Sequence, residues 1–348
     1  MKRNYGIDFL KMLAMLMVVM LHIYGRGGVM EACAVNSRSL KYGISQLWYI
    51  WCTCSVDCFV LATGYIMSQH AFKYGRIFKL WGEVVFYYLA MTFVAAVSFP
   101  ELHIGWRDWA MAVLPVATNR YWFFTEYVGL FLMIPFLNHW LRTLDRKQMA
   151  MLLVTGFGIL SFYPSIVGSD LFVTHWGYSF LWFMYLYLLA GAIAMYKVCD
   201  KIKIRWAALA ILISCGASLM LQIGAHKVGK ALCIQGGGGW TQYASVGVLL
   251  EAVAMLIFFS KLEIRNKVAQ WAIGLIGPSV FSVYILHSNS VFRKMIQWNG
   301  KFAPLAEGNA FLVPLKVLCV ALTIFICCIV IDIVRRQCIN ALMKIKRA

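Results

Sequence analysis

Apolar runs long enough to cross a bilayer recur along nearly the whole chain, and they limit its fold more than any other feature. A helix rises about 1.5 Å per residue, so roughly 20 apolar residues span the hydrocarbon core. Inside lipid the backbone has no water to bond with and must satisfy its own amides, which makes such runs helices. A membrane barrel would instead show alternation in segments of roughly 10 residues, a pattern the sequence lacks. Hydrophobic residues make up 62% of the 348 and charged residues 13%. Soluble domains are nearer half and a quarter, so the expected fold is all-α: a polytopic transmembrane helix bundle.

The runs predict about ten helices, at 7–25, 45–67, 77–98, 121–140, 149–166, 178–196, 206–224, 243–260, 271–292 and 310–334. The first is read as a retained span rather than a cleavable leader, because it carries Asp8, Lys11 and His22. No soluble domain fits between the runs and no internal repeat is evident, so 1–348 is read as a single integral membrane domain. The longest expected loops are 26–44, 99–120, 225–242 and 293–309.

The net charge of +18 fits this topology better than nucleic-acid binding, because the cations sit in the gaps between apolar runs. Alternate gaps, with the two ends, carry 20 Lys and Arg, and the opposite gaps carry 10. The richer set belongs in the cytoplasm, which puts both termini there and requires an even number of spans. A multi-pass protein of the cell (inner or plasma) membrane is the expected localisation. Cys52, Cys54 and Cys58 cluster without zinc-type spacing or a nearby His, so no metal site is expected. Cys33 and Cys233 are the cysteines in expected outer loops and form a candidate disulfide pair. Most tryptophans fall near the expected outer face, where interface belts account for them.

Charge inside a membrane helix is expensive, so each instance is a functional candidate. Lys11 and His22 are eleven residues apart, three turns plus roughly 20°, hence on one face with a rise of ~16 Å between them. That arrangement suits a long ligand with an anionic head and a reactive tip, such as coenzyme A. A neutral imidazole at the tip can take a proton from an attacking hydroxyl. The plainer alternative is a snorkelling Lys11 and a His22 bonded to a neighbouring helix. Asp8 shares the face, with Lys11 as its expected partner. Asp57 lies within the second run, followed by Thr63, Gly64 and Tyr65. Lys73, Arg76 and Lys79 then repeat at every third residue, a spacing that suits phosphate as well as membrane anchoring. Among the remaining buried acids, Glu83 is expected to pair with Lys79, and Asp332 with Arg335 and Arg336. Glu251 has no obvious partner. Glu126 sits beside Trp122 and Tyr127, suited to orienting an imidazole or contacting a sugar. His287, near a helix end, reads first as a histidine satisfied by a neighbour.

Four segments resemble the acyltransferase-3 family of membrane acyltransferases. GIDFLKMLAMLMVVMLH (6–22) resembles its first helix, with Asp8, Lys11 and His22 at the Asp, Arg and His positions. SVDCFVLATGYIMS (55–68), RYWFFTEYVGLFLMIPFLN (120–138) and VYILH (283–287) resemble later segments. The specific motifs lie mainly in residues 7–80. The resemblance implies transfer of an acyl group, commonly acetyl, from acyl-CoA (acetyl-CoA as the usual donor) to a hydroxyl of a surface polysaccharide or lipid-linked glycan. No permanently bound cofactor is implied. It makes His22 the catalytic residue and Lys11, Lys73 and Arg76 the donor-binding set, with Asp8, Asp57, Thr63 and Glu126 in support. Lys11 stands where the family has Arg and so loses the bidentate fork; Thr63 replaces a Ser and keeps the hydroxyl. The rival reading is a membrane transporter or flippase for a lipid-linked sugar. The seven prolines do not form the paired broken helices common in transporters.

Overall fold

The computed structural model describes residues 3–231 and 239–345. Among the described residues the secondary structure is entirely helical. Each of the ten expected segments falls on helix, and among the described residues seven stretches are long and apolar enough to cross a membrane: Tyr5–Tyr24, Leu40–Met67, Gly75–Ser98, Arg146–Val167, Ile204–Ala225, Lys267–Ser288 and Leu312–Met343. Phe180–Met195 and Val246–Ser260 are shorter apolar helices. Trp122–Thr143 has the length but not the composition, because Glu126, Pro135, Asn138 and His139 dilute it.

Three of the expected runs are not continuous α-helix. The second breaks at Cys54, between Leu40–Thr53 and Ser55–Met67. The fifth loosens into a π-turn at Gly158–Phe162, just ahead of Pro164. Proline has no N–H for the carbonyl four residues back and crowds it, which a wider turn relieves. The ninth breaks at Gly277–Ser279, where Gly277 and Pro278 stand together, and again after Ser288. Segments expected as loops contain short helices, Val29–Ala34 and Trp106–Val113, and Ser290–Met295 runs from the end of the ninth expected helix into the expected loop after it. The expected loop 225–242 begins while helix Ile204–Ala231 still runs.

The chain forms two compact units, each built from three stretches. The first comprises 1–14, 46–77 and 122–264. In it Phe180–Met195 packs against Ser55–Met67 and Trp122–Thr143, and Val246–Ser260 packs against Ile204–Ala231 and Ser55–Met67. Trp182, Phe183, Tyr187 and Val248 are fully buried in its core. Gly64 is required there: a Cβ at that position would lie 2.7 Å from the Tyr187 carbonyl oxygen.

The second unit comprises 15–45, 78–121 and 265–348. Val280–Ser288 packs along Leu312–Ile345, and Val29–Ala34 packs on the turn Ala303–Ala306. Asp332, fully buried, accepts from Tyr87 Oη at 2.6 Å and from Arg335 Nη2 at 2.6 Å, and lies 3.1 Å from Arg336 Nε. Its expected pairing with both arginines holds. Glu83 does not take Lys79; it lies 3.4 Å from Arg335 Nη2 and accepts from Ser282. Cys33 is a buried thiol 3.5 Å from Ser45 Oγ, while its candidate partner Cys233 lies outside the described residues.

Candidate functional site

Within the second unit two histidines meet. His22 ends the first helix, Tyr5–Tyr24, and His287 is near the end of Val280–Ser288. His22 Nδ1 is 2.9 Å from His287 Nε2, and the rings lie 5.0 Å apart between centroids. His287 is fully buried; His22 is half-buried. The other nitrogen of His287, Nδ1, is 2.5 Å from the carbonyl oxygen of Val283. A carbonyl only accepts, so His287 Nδ1 carries its proton. In the neutral ring Nε2 is then the acceptor, and it accepts a hydrogen bond from His22 Nδ1–H. His22 Nε2 then carries the lone pair of the neutral ring. The chain of carbonyl, imidazole and imidazole thus fixes one tautomer of His22, with its basic nitrogen at the tip.

The surrounding residues hold this pair firmly. Tyr121 Oη donates to the Ile285 carbonyl at 3.0 Å and accepts from Asn289 Nδ2 at 2.7 Å. Asn289 Oδ1 caps the short helix Ser290–Met295, accepting from Val291 N at 2.8 Å and Phe292 N at 3.0 Å. Tyr88 Oη lies 2.9 Å from Ser290 Oγ. At the end of the first helix the His22 carbonyl, which has no partner further along the helix, accepts from Gly27 N at 2.9 Å and Trp298 Nε1 at 3.2 Å. Gly300 N donates to the Arg26 carbonyl at 3.0 Å and Phe302 N to that of Gly27 at 2.9 Å. Gly27 is a glycine because a Cβ there would lie 2.2 Å from the Ile23 carbonyl oxygen and 2.8 Å from the Phe302 ring.

Of the other sequence candidates, Lys11 and Asp8 lie on the first helix, both half-buried. Asp8 bonds Arg3 at 2.6 Å rather than the expected Lys11. An arginine five residues back, just ahead of the helix, reaches the carboxylate with its long fork, and the i, i+3 rule does not anticipate that. Lys73 and Arg76 are exposed, beside the start of Gly75–Ser98, and among the described residues neither is in an ion pair. Thr63 Oγ1 donates back to the Phe59 carbonyl at 2.9 Å and lies by Tyr127. Asp57 is fully buried and accepts from Trp182 Nε1 at 3.0 Å, which makes it a strut between two helices of the first unit. Glu126 is half-buried beside the Phe180 backbone.

Of the residues around His22, His287 carries a signal in the sequence, a histidine inside an apolar run and a candidate for the same cavity; Asn289, Tyr121 and Trp298 read as ordinary polar or aromatic residues.

The family model described as an acyltransferase domain matches residues 4–333. No curated protein and no solved structure matches the chain. A match that runs from ahead of the first helix to well inside the last, on an all-helical chain with several apolar spans, makes this a multi-pass membrane acyltransferase that belongs to the acyltransferase-3 family.

Proposed function

We propose that the protein moves an acyl group, acetyl in the first instance, from acyl-CoA to a hydroxyl of a surface polysaccharide or lipid-linked glycan. The observation that carries the reading is the His22–His287–Val283 chain, which leaves a neutral imidazole with a free basic nitrogen. In this scheme the acceptor O–H gives its proton to His22 Nε2 as its oxygen attacks the thioester carbonyl. The resulting imidazolium keeps its Nδ1–H on His287. The tetrahedral intermediate expels the thiolate, which takes the proton back from His22 Nε2. The products are the O-acyl glycan and free coenzyme A, with His22 restored.

Lys73 and Arg76, exposed and, among the described residues, in no ion pair, are the proposed grips for the phosphates of the donor, with Lys11 at the inner end of the first helix. Asp8 and Thr63 support these cations, Asp57 supports the helices that carry Thr63, and Glu126 stands as a polar contact near them. We place both termini in the cytoplasm of a plasma or inner-membrane protein, because the charge bias supports it. The family match argues against a transporter or flippase.

The test is His22→Ala expressed in cells lacking the native protein. The variant is expected to insert normally and to leave the glycan without acyl groups, measured as ester-linked acetate per sugar. Full acylation with His22→Ala overturns the assignment.

A further inference from the structure

A cavity of ≈ 670 Å³ lies in the second unit, lined by Arg26, Arg293, Lys294, Ser290, Gln297 and Asn299, with Trp298 at its wall. Three cations face it, and no carboxylate lines it. Among the described residues none of the three is in an ion pair. Arg293 Nε is buried and has no hydrogen-bond partner. A buried guanidinium N–H without an acceptor costs free energy, as does gathering like charges. The cytoplasmic charge bias does not account for these cations, because all three belong to the poorer set of gaps.

The cavity is also built rather than incidental. Gln297, in its lining, holds a left-handed backbone at φ 52°, a conformation unfavourable for a side-chain-bearing residue. The wall is tied to the backbone at the end of the first helix, which carries His22: Trp298 Nε1 bonds the His22 carbonyl, and Gly300 N bonds the Arg26 carbonyl. Ser290, three residues after His287, lines the same cavity. Whatever sits among the cations is therefore held at a set position relative to His22.

We propose that this cavity binds an anionic group, a carboxylate or phosphate, carried by the acyl acceptor near the hydroxyl that is acylated. The proposal rests on the acyl-transfer reading above and adds the acceptor class: an acidic glycan. Arg26, Arg293 and Lys294 supply the charge, and Gln297, Asn299 and Ser290 supply neutral hydrogen bonds to the rest of the sugar.

Purified full-length protein in phosphatidylcholine nanodiscs is titrated with methyl glucuronoside and methyl glucoside, which differ by one carboxylate. The glucuronoside is expected to bind about ten-fold more tightly. Arg26→Gln and Lys294→Gln, at exposed side chains whose loss leaves the packing intact, each reduce that preference about three-fold or more, while acetyl-CoA affinity stays within about two-fold. Arg293→Lys keeps the charge and most of the preference. Equal affinity for the two probes, or binding of neither, overturns the proposal. A parallel fall in acetyl-CoA affinity assigns the cations to the donor and also overturns it. So does loss of the preference when phosphatidylglycerol replaces half the lipid at fixed ionic strength, which assigns the cavity to a headgroup. His22→Ala separates the two layers: transfer that survives in it sinks the acyl-transfer reading, whereas the binding preference is judged on the probes alone.

Discussion

Replacing His287 tests the relay more sharply than replacing His22, because it removes the orienter and leaves the base. His287 Nε2 accepts the His22 Nδ1 proton across 2.9 Å. In the ground state this is a neutral hydrogen bond. In the transition state His22 has become an imidazolium, and the same bond is charge-assisted, worth about 1.5–3 kcal/mol. Only the part that strengthens toward the transition state raises the rate. A neutral hydrogen bond is worth about 0.5–1.5 kcal/mol, so the strengthening is about 1–1.5 kcal/mol; at about 1.4 kcal/mol per factor of ten, its loss predicts a fall in kcat of about 5- to 12-fold for His287→Ala. The KM for acyl-CoA is expected to hold, because no donor contact is touched. His287→Gln offers an amide oxygen that still accepts from Nδ1 and is expected to retain most of the activity; His287→Phe fills the buried space but accepts nothing and is expected to match the alanine variant. The assay is transfer of labelled acetyl from acetyl-CoA by purified protein at saturating acceptor. The double variant His22→Ala/His287→Ala is decisive: the two residues act as a unit, so it falls no further than His22→Ala alone. A three-fold or smaller loss in His287→Ala, or full additivity in the double variant, refutes the relay.

Arg76→Ala is expected to raise the KM for acyl-CoA about ten-fold with kcat within about two-fold, measured by initial rates over a donor titration; an unchanged KM removes Arg76 from the donor set. Trp182→Phe strips the donor from Asp57 Oδ1 deep in the first unit, at a cost of about 1–3 kcal/mol, while Asp57→Asn keeps an acceptor oxygen for the indole and costs less; thermal unfolding in detergent ranks the two. Gly64→Ala is expected to destabilise by about 1–3 kcal/mol, because its Cβ meets the Tyr187 backbone at 2.7 Å, which cannot swing aside as a side-chain tip does; the same unfolding assay reads it.

The membrane-spanning character was legible because it rests on run length, a local property. The interruptions were partly legible. Gly277 and Pro278 stand side by side and mark the break that divides the ninth run, yet the apolar residues on both sides carried the reading through it. Cys54 carries no such mark, and nothing in its own residue type announces the break there. His22 was legible from its depth on a charged helix face. Its partner was not, because His287 lies 265 residues away and the order of helices in the sequence does not say which of them are neighbours. The same limit explains Glu83, whose near neighbour Lys79 looked sufficient until Arg335 of the last helix came within 3.4 Å. The cation cavity combines residues from two loops, and the sequence reading treated both as plain connections.

The proton of His287 is anchored on a main-chain oxygen, and that bears on how the site tolerates change. Every residue type supplies the same carbonyl, so position 283 is free to drift among side chains that fit its helix without disturbing the polarity of the relay. A carboxylate in that role would add a buried charge to be neutralised and a further residue for mutation to remove. Here the relay itself draws on two side chains, the imidazoles of His22 and His287.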